Sequence, residues 1–366
     1  MINTGIRQDN TWLVVDPIVG CIHDCQYCFL RVHNLSKRAS PAALSPRAAV
    51  DQLLSYWAFR ESSVVMVGSE TDMFMNARNR RYIAEFVREY DSRGIPNPLC
   101  VCTKARIPDD FIQLAQGVTA TTIIFYISFS GLGRAIEPNV DPANAVDNLQ
   151  RLAAANQRII HLFRPVMPQN ADRTVLGMVI DTVQRYASCS VVRGLNLNAQ
   201  MQKLAWFWPA ARDASIDFTN VVSTWPRGFF QALQEVMAAH PEYPLFLNNP
   251  CALAHVLDRP DPAGIFGSDR CGRSWCPDGQ QRACGTAHAT RVRPTRDQAI
   301  GELRRLGLEN DVRIDEGSGD IVISGTVTHE QAAYLSQALR SNLQVDGVKS
   351  GHEWGGYVIG HGDNFL

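Results

Sequence analysis

The sequence predicts an α/β fold: a partial (β/α)6 TIM-type barrel, then a cysteine-rich C-terminal extension and a small α+β module. Three observations predict it. Apolar, β-rich runs alternate with longer runs of helical period from residue 12 to about 245. The composition then turns to Pro, Gly, Asp and Arg over 248–285, and regular periodicity returns after about residue 293. The expected divisions are therefore 1–245, 246–290 and 291–366. With 366 residues, 45% hydrophobic and 19% charged, the chain can fill one large core of roughly 200 to 250 residues and a smaller one.

Each element follows from its residues. WLVV (12–15), VVMVG (64–68), LCVCT (99–103), TIIFYIS (122–128), IIHLF (159–163) and SVVRGL (190–195) are short, β-branched and aromatic, and read as strands. Between them, PRAAVDQLLSYWAFR (46–60), RRYIAEFVREY (80–90), ANAVDNLQRLAAA (143–155) and TVLGMVIDTVQRYA (174–187) carry apolar residues at helical spacing. Such alternation implies a parallel sheet, because parallel neighbours need long right-handed connections. Active sites of such folds sit at the C-terminal ends of the strands. AWFW (205–208) reads as helix core rather than a platform for stacking bases. The segment 248–285 has little periodicity and is expected to be loop. In the last division, DQAIGELRRLGL reads as a helix, VRIDEGSGDIVISG as a hairpin, THEQAAYLSQALRSN as a second helix and EWGGYVIG as a final strand.

Charge and composition narrow the function. Lys+Arg 35 against Asp+Glu 36 leaves a net charge of -1, so no global basic field points to nucleic acid or a membrane surface. MINTGIRQDNTW lacks the pattern of a secretory signal, and no apolar run approaches the roughly 18 residues of a membrane span. A cytoplasmic protein without a membrane partner is expected. Ten cysteines in such a chain point to metal or catalytic use rather than to disulfides.

Three of those cysteines stand together in GCIHDCQYCF (20–29), spaced C-x3-C-x2-C directly after the first predicted strand. Thiolates select zinc, copper(I) or iron–sulfur clusters. A structural zinc site closes with four ligands, usually as two separated pairs, and no partner pair lies near. Three thiolates on one tight loop suit a [4Fe–4S] cluster whose fourth iron is open. An open iron implies chemistry rather than electron storage alone. Cys100, Cys102 and Cys189 read as buried, small apolar residues.

The run CIHDCQYC (21–28) resembles the signature of the radical S-adenosylmethionine (radical SAM) family. GSE (68–70) is similar to that family's Gly-Gly-Glu-type loop, while TK (103–104), ISFSGLGRAIEPN (127–139) and FRPVMPQN (163–170) resemble its spore photoproduct lyase-like branch. The resemblance spans residues 12 to about 245. It implies that Cys21, Cys25 and Cys28 hold a catalytic cluster and that Tyr27 lies against the adenine of SAM. It also implies that Glu70, with Gly68 and Ser69, meets the amino acid moiety, and that Lys104, Ser128, Ser130 and Arg164 contact its carboxylate or ribose. The chemistry expected is reductive cleavage of SAM and hydrogen abstraction by the resulting 5'-deoxyadenosyl radical.

Cys251, Cys271, Cys276 and Cys284 form a second set, spaced C-x19-C-x4-C-x7-C in a segment poor in apolar residues. Four thiols there point to a metal staple, and both zinc and [4Fe–4S] accept four thiolates. The family's frequent auxiliary clusters imply iron, with zinc and an unligated set as the alternatives. Three readings of function stand. The first is a radical SAM enzyme acting on a peptide, protein or small metabolite, supplied with electrons by a donor such as flavodoxin or ferredoxin. The second is a nucleic-acid-modifying or lesion-repair enzyme, and the third a non-catalytic iron–sulfur or zinc protein. Neutral charge disfavours the second, and a triplet lacking a fourth ligand disfavours the third.

Overall fold

The structure, a computed structural model, describes residues 5–212, 222–260, 275–317, 319–345, 356–359 and 364–365. β1 (Gly5–Gln8) pairs antiparallel with β2 (Leu13–Asp16), which opens a run of six parallel neighbours. That run continues through β3 (Val65–Val67), β4 (Leu99–Thr103), β5 (Ile123–Ser128), β6 (Arg158–Val166) and β7 (Cys189–Leu197). The helices between are α1 (Pro46–Leu54), α2 (Ala77–Ser92), α3 (Asp109–Gly117), α4 (Pro142–Ala154) and α5 (Arg173–Val183). All six expected strands form, and α3 joins the four helices expected between them.

Alternation along the strands explains the layering. Val65, Val101, Ile127, Phe163 and Val192 face the core shared with the helices, while Met66, Cys100, Tyr126, Leu162 and Val191 face the opposite, inner side. Beyond β7 the sheet departs from a simple six-stranded barrel. After α6 (Ala199–Leu204), β8 (Val222–Pro226) runs antiparallel to the C-terminal half of β7, and after α7 (Phe229–Met237), β9 (Leu245–Phe246) runs parallel to its N-terminal half. The sheet is open, and closure into a barrel does not occur among the described residues.

The inner side is filled from below by α8 (Asn249–Val256), whose Ala252, Leu253 and Val256 pack against Met66, Tyr126, Leu162 and Val191. This corrects the expectation of loop over 248–285, since α8 and α9 (Asp278–Thr290) are both helices. Beyond them α10 (Arg296–Arg305) and α11 (His329–Leu339), each opened by a Thr-Gln capping box, pack with β10 (Asp311–Ile314), β11 (Ile321–Ser324) and β12 (Leu343–Val345). The hairpin forms as expected. The strand expected near EWGGYVIG, β13 (Gly356–Ile359), instead leaves this small sheet, pairing parallel with β8 and antiparallel with β14 (Asn364–Phe365). Sequence pattern can announce a strand without announcing its neighbour. α11 lies against β1, where Gln337 Nε2 donates to Asn10 O at 2.8 Å and Tyr56 Oη to Glu330 Oε2 at 2.8 Å. Among the described residues no helix is long and apolar enough to cross a membrane.

Candidate active site

The loop after β2 is shaped by nonlocal hydrogen bonds. Gly20 N donates to Glu70 O at 2.9 Å, Cys21 N to Leu35 O at 3.0 Å and Gln26 N to Ile136 O at 2.9 Å. Gly20 has φ +98°, and a Cβ there would lie 2.2 Å from Arg38 O, so only glycine fits. Asp24 takes a left-handed φ of 52° that aspartate tolerates, and Arg31 Nη1 binds its carboxylate at 2.5 Å. Cys21, Cys25 and Cys28 thereby line one cavity of about 590 Å³, at the C-terminal ends of the parallel strands.

His23, between the first two cysteines, anchors the loop. Its Nε2 meets Asp72 Oδ2 at 2.8 Å and its Nδ1 meets Asn139 O at 3.2 Å. Two acceptors face its two nitrogens, an arrangement that favours the protonated ring. Burial opposes that charge, but Asp72 outweighs it and raises the His23 pKa. Asp72 is itself a hub, accepting from Lys104 N at 2.8 Å, Phe74 N at 2.9 Å and Thr103 Oγ1 at 2.8 Å. Burial would raise its pKa, yet His23 and these backbone N–H groups hold it below the usual carboxylate value.

A second network grips Tyr27 and Lys104. Lys104 Nζ lies 2.8 Å from Glu137 Oε1 and 2.7 Å from Ser128 Oγ. Tyr27 Oη donates to Glu137 Oε1, and Ser130 Oγ donates to Oε2 at 3.0 Å. Burial works against the ammonium of Lys104, but Glu137 offsets this and leaves its pKa raised. Ser130 is buried and does not line the cavity, so it supports Glu137 instead.

Glu70 stands apart from both networks. It is buried at the cavity wall, its Oε2 has no hydrogen-bond partner among the described residues, and Arg7 Nη2 is 3.6 Å from Oε1. Burial, with the neighbouring carboxylate of Asp16, pushes its pKa up to about 7. Gly68, φ +76°, turns the chain out of β3 ahead of it, and Ser69 Oγ donates to Asp16 Oδ2 at 2.8 Å.

The donor set fits an iron–sulfur cluster. Burial, above all, pushes the Cys25 thiol up to about 12 and raises Cys21 and Cys28 as well, so metal binding there would release protons. Among the described residues no three His, Cys, Asp or Glu side chains converge on the position of a single ion. A cubane does not require that, since each thiolate binds a different iron. The orphaned oxygen of Glu70 beside these thiols fits an ammonium group.

No family model and no curated protein matches the sequence. Among solved structures, a single-residue variant of spore photoproduct lyase superposes with a TM-score of 0.52 at 12% identity, over 68% of this chain and 80% of that one. The lyase complexed with dinucleoside spore photoproduct superposes with a TM-score of 0.50 at 14% identity, over 64% and 76%. The chain shares the fold of spore photoproduct lyase. At such identities the likeness to the lyase is one of architecture, and residue roles rest on the geometry above.

Of the residues expected at the site, Cys21, Cys25, Cys28, Tyr27, Gly68, Ser69, Glu70, Lys104, Ser128 and Arg164 all line the cavity. Cys102, expected to be buried, is partly exposed at its wall, whereas Cys100 and Cys189 are buried. The described members of the second cysteine set do not line it. Cys251 lies on α8 and Cys276 just before α9, both against the inner core, and Cys284 lies within α9. Cys271 lies outside the described residues. AWFW divides, with Ala205, Phe207 and Trp208 buried and Trp206 54% exposed. Sequence reasoning missed His23, Asp72 and Glu137 as site residues. Their one signal was position, in strand-end loops or between two cysteines.

Proposed function

We propose that this chain is a radical SAM enzyme in which Cys21, Cys25 and Cys28 hold three irons of a [4Fe–4S] cluster and Glu70 receives the amino group of SAM. The observation that carries this reading is one cavity lined by three thiols of a single loop, Cys25 buried and Cys21 and Cys28 partly exposed, and by a buried carboxylate with an oxygen unpartnered among the described residues. When bound, the cluster and SAM supply a one-electron cleavage yielding methionine and a 5'-deoxyadenosyl radical, which abstracts hydrogen from a substrate carbon.

The residues of the chain position and insulate. His23 and Asp72 tie the cysteine loop to the β3 and β4 loops, so the three thiols hold their spacing. Glu137 fixes Tyr27 and Lys104 to one another, which leaves the Tyr27 ring as a wall for adenine and the Lys104 ammonium at the carboxylate or ribose, with Ser128. The substrate class favoured is a peptide, protein or small metabolite, with electrons from a flavodoxin or ferredoxin. Cys251, Cys271, Cys276 and Cys284 are proposed to hold an auxiliary [4Fe–4S] cluster in the segment 246–290, between a barrel unit at 1–245 and a C-terminal module at 291–366. One observation favours a nucleic-acid substrate instead, the likeness of fold to the lyase complexed with dinucleoside spore photoproduct.

Anaerobic reconstitution tests the reading. Iron, sulfide and zinc per monomer are measured together with 5'-deoxyadenosine formed under dithionite and SAM. Deoxyadenosine at about four irons or more supports it, and its absence from iron-replete protein, with a panel of peptides and nucleosides added, counts against it.

A further inference from the structure

The cavity wall at the end of β6 carries an unneutralised guanidinium, Arg164, and a second one, Arg193, stands on the neighbouring strand β7. Leu162 and Val191 are paired on β6 and β7 and both face inward, and Arg164 and Arg193 follow them by two residues on their strands. Arg164 lines the cavity and has no hydrogen bond or ion pair among the described residues. Arg193 Nη1 donates only to Leu247 O, at 3.2 Å. No carboxylate pairs with either guanidinium among the described residues. Burial and the charge of Arg164 lower the Arg193 pKa to about 10, as expected when two like charges share a poorly solvated corner.

Two further features point the same way. Leu247 leads into α8, whose first residue, Asn249, lines the cavity; Asn248 Oδ1 already accepts from Cys251 N at 2.9 Å and Pro250 has no N–H, so this helix end contributes its dipole rather than a full set of free donors. Tyr126, fully buried on the inner face and also lining the cavity, has a hydroxyl without a partner among the described residues. The Arg164 guanidinium and the Tyr126 hydroxyl line the cavity without a partner among the described residues, and Arg193 adds a second positive charge close to Arg164.

We propose that this corner, between the ends of β6 and β7 and the N-terminus of α8, is a subsite for a phosphate or carboxylate group of the substrate. The inference deepens the radical SAM reading by giving the substrate an anionic group held in the cavity that Glu70 lines. A carboxylate could also come from SAM itself. Arg193 separates the two sources, because Arg164 lines the cavity that holds the three cysteines and Arg193, on the neighbouring strand, is not among its lining residues.

The test is binding of methyl phosphate and of acetate to the reconstituted full chain, by calorimetry, beside binding of SAM by equilibrium dialysis. The expected result is saturable binding of at least one anion, weakened about tenfold or more by Arg193→Gln and by Arg164→Gln, with SAM affinity unchanged in Arg193→Gln. Arg164→Gln alters a side chain already open to the cavity, so it keeps the test informative if Arg193→Gln does not fold. No anion binding by wild type, or equal binding by both variants, would overturn the subsite. Loss of SAM affinity in Arg193→Gln would assign the corner to the cofactor and overturn its role for substrate. Because the anions are titrated without reductant, absence of deoxyadenosine formation would count against the radical reading while leaving this result standing.

Discussion

The two cysteine sets differ in how the chain presents them. Cys21, Cys25 and Cys28 sit on one loop whose backbone is fixed by Glu70 O, Leu35 O and Ile136 O, and whose middle residue, His23, is bolted to Asp72. Cys251, Cys276 and Cys284 are dispersed over α8, the approach to α9 and α9 itself. The first set is organised before any metal arrives, and its burial makes bare thiolates costly. The second set has no such shared loop among the described residues. The comparison therefore separates one group of thiols fixed on a single loop from another spread over α8, α9 and the approach to α9.

The sharpest break of that contrast is to delete each set in turn. Cys21→Ala/Cys25→Ala/Cys28→Ala is expected to abolish deoxyadenosine formation and to remove about four irons per monomer. Deletion of the second set should leave deoxyadenosine in place. Equal loss from both deletions would show that the two sets share one site.

Breaking the bolt comes next in size. Asp72→Asn leaves His23 buried without its counter-charge and is expected to cost about 3 to 5 kcal/mol, read as a lowered Tm. Iron retention should fall with it. A variant with unchanged Tm and iron content would show that the loop is held by its backbone contacts alone.

A smaller effect tests Glu70. Its carboxyl, pushed up to about 7, must ionise to hold an ammonium. SAM affinity is therefore expected to rise about eightfold between about pH 6 and about pH 7.5, and to stay flat in Glu70→Gln. Stability moves the other way. The folded chain keeps this proton where the unfolded chain has lost it, so stability declines as pH rises from the ordinary carboxylate range through about 7. A flat wild-type profile would remove Glu70 from the cofactor site.

What the sequence disclosed, and what it hid, follows from where each signal lies. Strands β2 to β7 were legible because β-branched runs broken by helical periods need no tertiary information. The triplet was legible because its spacing is local. α8 was not, since PCALAHV is apolar around most of the helix and buried inside the sheet, which erases the amphipathic period. Glu137 was quoted within its loop yet unassigned, because its meaning lies in Tyr27, 110 residues away in sequence. Strand β13 was seen, but its partner β8 lies more than a hundred residues earlier and leaves no local trace.

The smallest expected effect on activity, Cys284→Ala, decides what the second set is. α9 spans 13 residues and buries none of them, and its interior holds Gly285, which costs about 1 kcal/mol relative to alanine. An isolated helix of that length is marginal even with good formers, so apolar burial and propensity do not account for it. Ligation of Cys284 to a metal shared with Cys276 and Cys251 would supply the missing stability through binding energy. On that account Cys284→Ala lowers iron by up to about four per monomer, accelerates proteolysis within 278–290 and spares deoxyadenosine formation. Unchanged iron and unchanged proteolysis would instead make Cys284 a helix thiol whose contact is Gln280 Nε2 at 3.2 Å, and would leave the triplet as the cluster site of the chain.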